Sequence, residues 1–94
     1  MGIIILGAFG TGKQVSANSN LDNLISTGLY SIMNSSQPAT IQNKPNGESV
    51  GRIIVIFIFS VVIQVFFTYQ PYKIYVRSFA DNAENTAWSM IAQG

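Results

Sequence analysis

The apolar residues gather in one unbroken run, Arg52 to Tyr69, and in the alternating stretch that follows it. After Arg52 the run holds no charge, no Gly, no Pro, no Leu and no Ala; its apolar positions are Ile, Val and Phe until Tyr69 ends it. Such side chains lose rotamer freedom in a helix and pack well on a pleated surface. From Val61 the odd positions Val61, Ile63, Val65, Phe67 and Tyr69 are apolar, while Gln64 and Thr68 share the even face. Past Pro71 the alternation sharpens: Tyr72, Ile74 and Val76 fall on one side, Lys73, Tyr75, Arg77 and Phe79 on the other. A period of two is the strand signature. Two strands of ordinary length require a break near Phe59-Ser60, where no Gly, Asn, Asp or Pro marks a turn. The competing reading is a single membrane span over about 53–69, a length at the short edge of what crosses ~30 Å of hydrocarbon.

The flanking chain is more broken. Ile3 to Leu6 is a short apolar strand candidate, and Gln14 to Asn20 is polar, a linker or extended arm. Leu21, Leu24 and Ile25 stand at helical spacing, with Gly28 placed to stop a short helical turn. Gly28 to Met33 alternates weakly and predicts a strand. Asn34 to Glu48 is rich in Asn, Ser, Gln and Pro, and Pro45-Asn46-Gly47 predicts a turn, because Gly accepts positive φ. Asp81 to Thr86 reads as a polar loop and Ala87 to Ala92 as a last strand.

Composition narrows the chemistry. Ninety-four residues allow one domain, and 48% hydrophobic against 10% charged is too apolar for a comfortable soluble monomer. A membrane or partner subunits are therefore expected to cover part of the chain. With no Cys there is no thiol chemistry, and with no His the commonest general base and metal ligand are missing. The only carboxylates are Asp22, Glu48, Asp81 and Glu84. The expectation is a protein that is not an enzyme and uses no cofactor or metal. A net charge of +1 gives no case for nucleic acid. Met1 to Phe9 lacks the preceding positive charge of a secretory signal, and Leu6 stands where myristoylation favours Ser or Thr.

One motif needs weighing. Gly7, four residues, then Gly12 and Lys13 match the phosphate-cradling loop up to its last position, where Gln14 replaces the Ser or Thr that holds Mg²⁺. Val15 to Asn20 is a poor helix start. A degenerate nucleotide-binding fragment is thus a further alternative, and a Gly-rich connector the plainer one.

Taken in order, the features form a familiar series. Leu21-Asp22-Asn23-Leu24 leads to Gly28-Leu29-Tyr30, then to a Pro- and Gly-containing loop, Gly51 and an apolar strand. Gln64 follows on a strand, then Ile74 to Arg77, a polar loop and Trp88. Over about Leu21 to Ala92 this resembles the pyocin-knob type of domain in phage tail fibres and related tailocin fibres. The resemblance implies a mainly β fold: a small knob-like antiparallel domain over residues 21–94, an N-terminal arm over 1–20, and a trimer. It implies a virion structural protein at the fibre tip, bound to other tail proteins and attaching to a host-surface glycan without catalysis. Gly28, Tyr30, Gly51 and Gln64 are then structural positions.

Candidate ligand-binding residues are Tyr72, Tyr75, Arg77 and Trp88. Tyr69, Tyr72 and Tyr75 lie close to Pro71, and aromatics beside a turn suit sugar faces, though they are equally ordinary sheet residues. Arg77 either reads an anionic sugar or pairs with Asp81 or Glu84 at the core edge. Trp88 serves as core or subunit packing or as a stacking platform. Gln64, set among apolar neighbours, is expected to be a paired structural amide.

Overall fold

The computed structural model describes residues 12–94, which form one six-stranded sheet with its strands in chain order. The strands are β1 (Lys13–Gln14), β2 (Gly28–Ile32), β3 (Gly51–Ile58), β4 (Val61–Thr68), β5 (Lys73–Ala80) and β6 (Ser89–Gln93). Among the described residues helical structure is limited to 3-10 turns at Leu21–Asn23, Asn34–Ser36 and Pro38–Thr40. The fold is mainly β, as the period of two requires. The run from Ile53 to Tyr69 is a β-hairpin, and no helix among the described residues is long and apolar enough to cross a membrane.

Two expectations about this sheet are corrected. It is mixed, because β1 pairs parallel with β2 while every other pair is antiparallel. A parallel neighbour demands a crossover of about a dozen residues, and the polar segment between Gln14 and Gly28 supplies it. That segment does not simply extend away: Val15 is buried and its N–H donates to Ser31 O at 2.8 Å. The helical turn is also shorter than its apolar spacing predicts, ending at Asn23, and Gly28 opens β2 instead of closing a helix. Ile3 to Leu6 and most of the Gly7–Lys13 motif lie outside the described residues. Lys13 itself starts a strand, where the phosphate-loop motif needs a helix.

The unmarked break falls between β3 and β4. Ile58 pairs with Val61, leaving Phe59 and Ser60 as a two-residue turn with φ of 49° and 66°. Two positive φ values are the signature of the tight hairpin turn whose twist matches its strands. Asn-Gly is the usual occupant, so the sequence hides the turn. Pro45 to Glu48 forms the turn its residues predict: Glu48 N–H donates to Pro45 O at 3.1 Å and Gly47 has φ of 85°.

Register sorts the side chains into two unlike faces. Ile32, Ile53, Val55, Val62, Phe66, Tyr75 and Phe79 are buried on the inner face, together with Gln64 and Arg77. Val15, Leu21 and Ile41 from the loops complete that core. The outer face carries Leu29, Ile54, Ile56, Ile63, Val65, Phe67, Ile74 and Val76, all half-buried, and none belongs to the core cluster of the described residues. Arg52 is the one charged residue that β2 to β5 place there. The more uniformly apolar face is therefore not the core.

Gly51 shows how tightly the inner face closes. A Cβ there would lie 2.6 Å from the Phe66 ring, closer than any side chain tolerates. We expect Gly51→Ala to cost about 1–3 kcal/mol by forcing Phe66 off its position, read as a lower urea midpoint with the same slope.

Candidate functional site

Strands β4 and β5 set Gln64 directly opposite Arg77 on the inner face, both nearly inaccessible to solvent. Buried polar groups of this kind cost several kcal/mol unless paired, and the loops pair them. Gln64 Nε2 donates to the carbonyls of Leu21 at 2.7 Å and Leu24 at 2.9 Å. Its Oε1 accepts from Arg77 Nε at 2.8 Å. Arg77 Nη1 donates to Thr86 O at 2.9 Å and meets Asp22 Oδ1 at 3.0 Å. Asp22 Oδ2 then accepts from Asn43 Nδ2 at 3.1 Å and from the Asn85 backbone at 2.8 Å. Asn20 Oδ1 joins the set, taking the Asp22 N–H at 2.9 Å and Asn43 Nδ2 at 2.8 Å.

The guanidinium also sits between two rings, 4.7 Å from the centroid of Phe79 and 4.5 Å from that of Trp88. Burial pulls its pKa below the usual arginine value, and Asp22 opposes that shift through charge and hydrogen bonding. Arg77 thus does not pair with Asp81 or Glu84, and it does not face solvent. Its Nη2 has no hydrogen-bond partner among the described residues.

Trp88 is held by the same assembly. Its indole N–H donates to Asn43 O at 2.8 Å, and its ring meets Phe66 edge-on at 5.9 Å. Tyr75 meets Phe66 from another side at 6.3 Å, and its hydroxyl donates to Glu48, which also pairs with Lys73 Nζ at 3.3 Å. The hydrogen bond to Glu48, burial and the Glu48 charge together push the Tyr75 pKa up.

Tyr75 and Trp88 line one groove of about 460 Å³, with Lys44, Asn43, Asn46 and Asn85 around them. Beside it lies a polar cavity of about 390 Å³ that shares Asn43 and Asn85 and is walled by Asp22, Asp81 and Glu84. Of the four sequence candidates, these two aromatics come together. Arg77 lies beneath them against Trp88, and Tyr72 stands apart, exposed in the β4–β5 connection with its carbonyl accepting from Gly94 N–H. Tyr69 is exposed there too, so the three tyrosines do not share a surface.

The structural positions have local roles. Gly28 lies under the ring of Tyr30, whose atoms come within 3.2 Å of where a Cβ would be, and Tyr30 Oη donates to Ser26 O. Sequence reasoning missed Asp22 and the asparagines. Their only signal is that Asn tolerates positive φ, which Asn43 and Asn85 adopt at 63° and 57°. A further cavity of about 430 Å³ between β1 and the first 3-10 turn includes Lys13 and Tyr30 but carries no aromatic pair. Comparison of the chain with family models, with curated proteins and with solved structures returned no match.

Two outcomes follow for this network. Asp22→Ala leaves Arg77 buried without its counter-charge and is expected to cost about 3–5 kcal/mol, measured by urea unfolding. Tyr75 gives a second, separate signal. Its raised pKa means the folded state holds the phenol proton more tightly than the unfolded chain. Its contribution is complete below the usual tyrosine value of 10.0 and is lost as pH rises above it. Melting temperature followed from pH 8 to 11 should show a steeper alkaline decline in the parent protein than in Tyr75→Phe.

Proposed function

We propose that this chain is a phage tail-fibre or tail-tip knob: a non-enzymatic virion component that assembles as a trimer and attaches to a host-surface glycan. The observation that carries the reading is the two-faced sheet. One face is closed by the chain's own loops and presents a groove lined by Trp88 and, more deeply buried, Tyr75. The other is a largely apolar, mostly β-branched surface that stands outside the core cluster of the described residues. Exposed apolar patches larger than a few hundred Å² mark interfaces, and soluble homo-oligomers close by cyclic symmetry. Copies that met through their outer faces would leave each groove open to the surroundings, the arrangement a multivalent attachment tip needs. The order of Gly28, Tyr30, Gly51, Gln64, Arg77 and Trp88 supports the same reading by its resemblance to pyocin-knob domains. Other tail proteins are the remaining partners in this proposal.

Light scattering on the purified chain tests the assembly. A trimer's mass with a β spectrum is the expected result. Ile63→Glu with Val65→Glu, two outward positions on the central strand β4, should reduce the particle to a monomer that keeps that spectrum. A parent chain that is monomeric across the micromolar range overturns the trimer.

A further inference from the structure

The charges around the groove go further and define what kind of glycan fits, an inference that rests on the glycan-binding reading above. Among the described residues, cations that could meet an acidic sugar are few around the groove. Arg77 is buried against Asp22, between Phe79 and Trp88. Among the described residues Lys44 is the one cation lining the groove, and its Nζ donates to Pro38 O at 2.7 Å. The adjoining cavity has the opposite sign. Asp81 and Glu84 line it, both are exposed, and neither has an ion pair among the described residues. A ligand lying against Trp88 and reaching across Asn43 and Asn85 meets side-chain amides first and carboxylates next. The Asn85 side-chain amide can meet hydroxyl and acetamido groups as donor or acceptor, while Asn43, its Nδ2 held by Asn20 and Asp22, offers its amide oxygen. Aromatic rings supply an apolar face for stacking. A carboxylate or phosphate on the sugar would face both Asp81 and Glu84, with Lys44 as the single groove cation among the described residues to offset the repulsion.

We infer that the groove selects uncharged saccharides, hexoses and N-acetylhexosamines, and rejects acidic ones such as uronates, sialates and phosphorylated sugars. Asp81 and Glu84 act as the discriminating residues.

The test uses the full chain, labelled, on a printed array of neutral and acidic bacterial surface oligosaccharides at low salt. Signals on neutral structures at least about tenfold above those on their acidic counterparts are expected, with the gap narrowing as salt is raised. D81N combined with E84Q should raise the acidic signals and leave the neutral ones unchanged. Ala87→Trp, which fills the groove from an exposed position, should remove both at an unaltered melting temperature. Acidic structures bound as well as neutral ones by the parent protein overturn the charge selection while leaving glycan binding intact. Neutral signals that survive Ala87→Trp overturn the groove as the site. An array without any signal overturns glycan binding itself, and this inference with it.

Discussion

Burying an arginine and a glutamine side by side in the core of so small a domain sets the terms for everything else. Gln64 and Arg77 face each other across β4 and β5, and the sheet offers them nothing but each other. Apart from Arg77 Nη2, their remaining donors are met by Leu21, Leu24, Thr86 and Asp22, all from segments between the strands. The loops must therefore lie over that face, and once they do, Leu21, Ile41 and Trp88 pack down with them. Breaking such a set is costly because the partner left behind stays buried and charged. Its value lies in specificity as much as stability: the irregular segments have one place to dock.

This arrangement explains which face is which. A reading by hydrophobicity alone would bury Ile63, Val65 and Phe67 and expose Gln64. The loops reverse that choice, because their carbonyls and Asp22 satisfy polar side chains that an apolar layer could not. The outer face then keeps its Ile and Val residues half-exposed, and the excess of hydrophobic composition is concentrated there. Polar closure and apolar surface are in this way placed on opposite sides of a single sheet.

Strands were the legible part of the sequence, and for a clear reason. Alternation from Val61 to Phe79 reflects the pleat itself, so β4 and β5 could be read directly. Phe59-Ser60 could not, since an aromatic and a serine occupy left-handed positions that Asn and Gly usually fill. The parallel β1 was hidden as well, being only two residues long within a polar segment. Tyr75 and Trp88 were recognisable as aromatics near loops, but their meeting depends on Phe66, which touches both. Asp22 lies far from Arg77 in the chain, and no local pattern links them. Contacts made by register were visible; contacts made by closure were not.

The Asn85 backbone bonded to Asp22 joins residues 63 positions apart. Asn85 and Asn43, both anchored on that carboxylate, frame the shared wall of the two cavities. The wall between the two cavities thus depends on segments far apart in the chain: without the Asp22 carboxylate, Asn43 and the Asn85 backbone lose their common anchor. A copy ending before Asn85 would keep β2 to β5 and lack that wall.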